Sequence, residues 1–145
     1  MAERAISYTA LEHKADTGYL VEAPSLERLY IDAALALTDL LVKLPLIVEV
    51  EKRTIAVKNE SRDALLVHWL NEVLSLFANQ KFLAKRIVFT KFDGKQLSAT
   101  LYGEAYVPVR HGHASEIKAV ISQQLQVGMR SEPEHTFYAR IFLET

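Results

Sequence analysis

Three groups of residues in this 145-residue chain have the types and spacing to do chemistry. The first lies in LEHKADTGYL, where His13 and Asp16 stand three residues apart, just ahead of Gly18 and a run of strand formers. A histidine and a carboxylate at the mouth of a core strand suit acid–base work, metal ligation or a plain polar cap. The second is HGH at 111–113. On a strand, residues two apart share a face, so His111 and His113 would converge on one ion. Zinc, however, needs three or four ligands, and the intervening glycine favours a solvated loop. The third is Glu12, Asp16 and Glu144, a carboxylate group only if the fold brings the two chain ends together. His68 beside Trp69 reads as a packed or solvent-facing helix residue, and His135 as a turn residue.

The elements that must position these residues follow from periodicity. YLVEA after Gly18 reads as a short strand. Pro24 and Ser25 mark a helix start, with Ser25 as N-cap and Glu27 in the first turn. Leu26, Leu29, Tyr30, Ala33, Ala34, Leu37 and Leu41 recur at helical spacing and predict one apolar face. LIVEVEKRTIAVKN alternates as one or two strands, and Asn59 or Ser61 caps a second helix carrying Leu66, Trp69, Leu70, Val73, Leu74 and Phe77. RIVFTKF and QLSATLYGEAY form a hairpin about Asp93-Gly94. EIKAVISQQLQV and HTFYARIFLET are two more strands, separated by a polar turn containing Gly128 and Pro133. PVRHGHASE reads as the most exposed loop. The pattern predicts an α+β fold, a single domain over residues 1–145 that sandwiches mixed β-sheet with two main amphipathic helices.

Composition narrows the function classes. Half the residues are hydrophobic and the formal net charge is −1, with a sequence pI of about 6.5. That balance argues against an obligate, sequence-independent nucleic-acid binder, though not against a local basic patch. There is no cysteine, which excludes disulfides, thiolate zinc sites and a cysteine nucleophile. No glycine-rich phosphate loop and no serine nucleophile in a recognisable setting is present. The polar N-terminus and short apolar runs predict a cytoplasmic protein without signal peptide or membrane span.

LEHKADTGYLVEAPSLERLYIDAALAL resembles the opening of the archease family: a His-Thr-Ala-Asp-like motif, a glycine-bearing strand and a helix with a Leu-Glu pattern followed by paired alanines. The likeness continues in order through DALLVHWLNEVLSLF, LYGEAY, EIKAV and the final hydrophobic strand. The resemblance implies an archease-like fold and a role as accessory protein, not an enzyme. Its partner would be an RtcB-type RNA ligase, the GTP- and manganese-dependent enzyme of tRNA splicing and RNA repair. The accessory protein promotes guanylylation and repeated turnover of that ligase. It also implies a divalent-metal site at Asp16, Glu144 and Thr145, all-oxygen and suited to Ca²⁺, Mg²⁺ or Mn²⁺. Lys118, in Ile-Lys-Ala, is implied as functional, and His13 orients Asp16 rather than ligating. Neither sequence-specific nucleic-acid binding nor membrane association is expected.

Three departures from the family pattern stand out. Lys14 replaces the usual threonine, Ile121-Ser122-Gln123 replaces Thr-Tyr-His, and Glu144 stands where aspartate is usual. They motivate one alternative, a divergent archease-like binding or chaperone-like module with another partner. A metal-dependent hydrolase using Glu12, Asp16 and Glu144 is the other; it would need an open coordination position and a base.

Overall fold

The computed structural model describes residues 8–12, 17–130 and 136–145. Among the described residues, seven strands form two antiparallel sheets. One has the order β1-β2-β7-β6, from β1 (Tyr8–Glu12), β2 (Thr17–Ala23), β6 (Ala119–Arg130) and β7 (Thr136–Glu144). The other has the order β3-β5-β4, from β3 (Glu51–Lys58), β4 (Phe82–Phe92) and β5 (Gln96–Ala105). The expected α+β sandwich is observed, with its strands divided between two sheets.

The two long helices lie between the sheets. Helix α1 (Leu26–Leu41) packs on β4 of one sheet and on β2 and β7 of the other, and α2 (Arg62–Gln80) touches β3, β4 and β6. This layering changes what α1 must look like. The expected single apolar face is instead burial almost all round, with Ile31, Leu35 and Ala36 covered as well as Leu29, Ala33 and Leu37. A helix with a sheet on either side has no solvent face to keep polar. Ser25 and Ser61 cap the helices as expected, accepting from the N–H of Arg28 and of Ala64.

Hydrogen bonds lock the centre. The Trp69 indole donates to the Tyr30 carbonyl at 2.9 Å, and the Tyr19 hydroxyl to the Ala33 carbonyl at 2.8 Å. These bonds let large rings be fully buried without leaving an orphan donor.

Several boundaries differ from the sequence reading. Gly128 lies inside β6, not in a turn, because it faces Tyr138 on β7 and a Cβ there would come within 2.7 Å of that ring. PVRHGHASE is not merely an exposed loop: Pro108–His111 forms a short helix, α3, whose His111 is buried. Before β3 the chain makes a 3₁₀ turn at Leu44–Leu46 rather than a further strand. Among the described residues no helix is long and apolar enough to cross a membrane.

Candidate functional site

One end of the four-stranded sheet gathers the segments singled out in the sequence. Glu12 and Thr17 face each other across β1 and β2, Thr17 faces Leu143 of β7, and Glu144 faces Ala119 of β6. The N–H of Lys118 donates to the Glu144 carbonyl at 2.7 Å. Thr17 (the covalent neighbour of Asp16), Glu144, Thr145 and Lys118 therefore share one sheet end. On β7 the alternation expected from the sequence holds. Ile141 and Leu143 are buried in the core, while Arg140 and Glu144 are exposed on the opposite face. Phe142, between them, is covered because it packs against the bare Cα of Gly18.

His13 and Asp16 lie outside the described residues. Among the described residues no group of three or more His, Asp or Glu is positioned to hold one ion. The Glu144 carboxylate and the oxygens of Thr145 are solvent-facing oxygen donors of the kind a hard cation takes, and the exposed Lys118 lies just ahead of β6.

Two features around this end were not foreseen. The Asn71 side chain on α2 pairs with the backbone of Val120, its Oδ1 accepting from N–H at 2.9 Å and its Nδ2 donating to the carbonyl at 3.4 Å. Since β6 is an edge strand, the amide stands in for a neighbouring strand and fixes the backbone two residues from Lys118. Beyond it, β6 advances five residues from Ile121 to Gln126 while β7 advances two, from Phe142 to Arg140. The resulting bulge carries Ser122 and Gln123, where the family pattern is broken, and leaves both exposed. Bulges re-aim side chains and are frequent beside functional sites.

A second polar cluster lies at the end of the three-stranded sheet. Glu104 is buried and accepts from Arg110 Nη2, from His111 Nε2 at 3.0 Å and from the Val48 N–H at 2.7 Å. His111 Nδ1 accepts from the Val107 N–H at 2.9 Å. A backbone N–H can only donate, so Nδ1 carries the lone pair and the proton sits on Nε2. Both nitrogens of His111 are thus engaged within the fold. The HGH pair is a structural clamp plus a solvent-facing His113, not a ligand pair. The signal in the sequence was slight: Glu104, near the end of a strand run, is followed within seven residues by Arg110 and His111.

Burial, and then the Arg110 cation beside it, holds the His111 imidazole below the usual histidine range. Its neutral form stabilises the fold above the unfolded value of about 6.5, and that contribution is lost as pH falls through the lower folded value. Thermal melts from neutral pH down to about 5 are expected to fall more steeply for the native protein than for His111→Gln. Parallel curves would show that His111 does not titrate on unfolding.

Comparison with known proteins gives one consistent result. The profile described as the Archease protein family matches residues 8–143. The protein archease of Methanosarcina acetivorans is 30% identical over 136 residues, spanning 88% of this chain and 90% of the relative. That of Thermoplasma acidophilum is 28% identical over 139 residues, spanning 96% and 94%. Among solved structures, the solution structure of Methanobacterium thermoautotrophicum protein 1598 matches with a TM-score of 0.73 at 24% identity, covering 95% of this chain and 98% of that one. A Thermotoga maritima crystal structure, described as an archease and possible chaperone, matches with a TM-score of 0.60 at 20% identity, covering 93% and 94%. At those identities the structures speak for the fold.

Proposed function

The chain belongs to the archease family, and from that premise we propose that it is a non-catalytic, metal-binding accessory protein of an RtcB-type RNA ligase. In this reading it promotes guanylylation and multiple turnover of the ligase in tRNA splicing or RNA repair. The observation that supports it is the meeting of Thr17, Glu144 and Lys118 at one sheet end, with the Lys118 N–H on the Glu144 carbonyl. Asp16, Glu144 and an oxygen of Thr145 would hold the divalent ion, which supplies concentrated positive charge when bound. Lys118 adds a mobile cation for a phosphate or a partner carboxylate. His13 orients Asp16. Glu144, one methylene longer than the family's aspartate, reaches further from the strand.

Two measurements bear on this reading. Calorimetric titration with Ca²⁺ and Mn²⁺ is expected to show Glu144→Gln binding roughly tenfold or more weakly than the native chain, since a neutral amide replaces an anionic ligand. Equal affinities would remove Glu144 from the ligand set. Transfer of labelled GMP from GTP to the ligase is expected to be faster when this protein is present; an unchanged rate would count against activation.

A second reading is a chaperone-like or binding module with a different protein partner. It is favoured by Leu46, Val48, Val50 and Val107, each at least 40% exposed, and by Val109 at 95%. The segments carrying them meet at the Glu104 cluster, where the Val48 N–H and Arg110 side chain bond the same carboxylate. Recovery of a partner other than the ligase, with no effect on guanylylation, would favour this second reading.

A further inference from the structure

We propose that the outer face of the β3-β5-β4 sheet is a binding platform for single-stranded RNA, recognised without sequence preference. The helices cover only one side of this sheet. Ile55, Val57, Leu97, Ala99, Leu101 and Ile87 point into the core, so the alternate residues point outward.

The register sets those outward residues in rows. Lys52, Tyr102 and Arg86 form the first, Thr54, Thr100 and Val88 the second, and Ala56, Ser98 and Lys91 the third; Lys58 and Gln96 complete the fourth. At two residues per row the four rows span roughly 20 Å of face. Every charged side chain in these rows is a cation. Lys52, Lys58 and Lys91 form no ion pair among the described residues, and all three are exposed.

The carboxylates of Glu49, Glu51 and Asp93 are already engaged. Glu49 is bonded to Arg86 at 3.0 Å, and Glu51 to Arg53 at 3.1 Å. Asp93, at the hairpin tip, accepts from the N–H groups of Lys95 and Gln96 and from the Gln96 amide, and so turns back into its own turn. A chain of net charge −1 thus presents one cationic sheet face.

Three features choose RNA over other polyanions. The Arg86 guanidinium lies 4.1 Å from the centre of the Tyr102 ring. Held there by Glu49, it offers a flat cation on which an unstacked base can lie, a contact an acidic peptide does not use. The hydroxyls of Thr54, Ser98 and Thr100 run along the middle of the face, within reach of a ribose 2′-hydroxyl. A flat sheet face suits splayed single strands, whereas duplex RNA is read across successive grooves. The inference goes beyond the ligase reading, because it concerns the isolated protein without ligase or metal.

Fluorescence anisotropy of labelled oligouridine, titrated with the isolated protein in chelator-containing low-salt buffer, tests it. Saturable binding is expected with a dissociation constant on the order of 10⁻⁵ M, weakening as salt rises with a log–log slope of about −2 to −3. Lys52→Glu/Lys58→Glu/Lys91→Glu, shown by circular dichroism to be folded, is expected to abolish binding, and the corresponding glutamine variant to reduce it strongly. Tyr102→Leu is expected to weaken binding roughly tenfold. No binding by the native protein, or binding untouched by the folded triple variant, would overturn the proposal. So would equal binding of oligothymidine or duplex RNA, or displacement of oligouridine by polyglutamate at equal charge concentration.

Discussion

A Gly103→Ala variant is expected to melt roughly 10 °C below the native protein, a loss of about 3 kcal/mol or more. Gly103 lies on β5, opposite Ala84 where the β4 register shifts. A Cβ there would stand 1.8 Å from the Leu83 carbonyl oxygen and 2.8 Å from its carbon. Both are backbone atoms, so no side-chain rotation relieves the clash. The strand must move, and with it the Val50 N–H that donates to the Gly103 carbonyl at 2.9 Å. Ala99→Gly on the same strand is the useful contrast, since it deletes a methyl from the core without a clash. It is expected to cost about 1 kcal/mol. Equal melting temperatures for Gly103→Ala and the native chain would mean that β4 and β5 are not registered as described.

Glu104→Ala is expected to cost about 3 kcal/mol, nearly as much, through an electrostatic route. The substitution leaves the buried Nε2–H of His111 and the Val48 N–H without an acceptor. Each orphaned donor costs about 1–3 kcal/mol. Arg110 loses its partner too, but its side chain is 45% exposed, so water compensates it and the ion pair itself counts for little. Glu104→Gln keeps one good acceptor and is expected to fall between the two. Because Glu104 ties the segment before β3 to α3, amide exchange at Val48 and Val107 should accelerate in Glu104→Ala well before global unfolding. A variant of native stability with unchanged exchange would show that these contacts contribute nothing net.

Much of the fold could be read from local signals because local physics decides them. Ser25 and Ser61 cap their helices through their own hydroxyls, and Asp93-Gly94 closes the β4–β5 hairpin with Gly94 at φ 88°. Other features depend on partners far along the chain. Nothing near Leu35 says that a second sheet covers it, so α1 reads as amphipathic until both sheets are in place. Gly128 looks like a turn residue because its reason for being glycine, the Tyr138 ring, lies on the next strand. The same holds at the sheet end that carries Glu144. Glu144 could be assigned to the outer face from β7 alternation, and its nearness to Lys118 is observed. Asn71 could not be foreseen, because a helix asparagine carries no sign that its amide will complete a strand edge. The clamp of Glu104, Arg110 and His111 was hidden by the sequence HGH, whose spacing drew attention to the wrong pair.

That the sheet end bearing Thr17, Glu144 and Lys118 serves an RNA ligase, with Asp16 as a metal ligand, is our central proposal. It is tested most directly by a ligation time course with limiting RtcB-type ligase from the same source, GTP, Mn²⁺ and excess RNA. With the native chain present, product is expected to rise well past one equivalent per ligase; with Asp16→Ala of equal thermal stability it should stop near one. A plateau at one equivalent in both reactions, or multiple turnover in both, would contradict the claim.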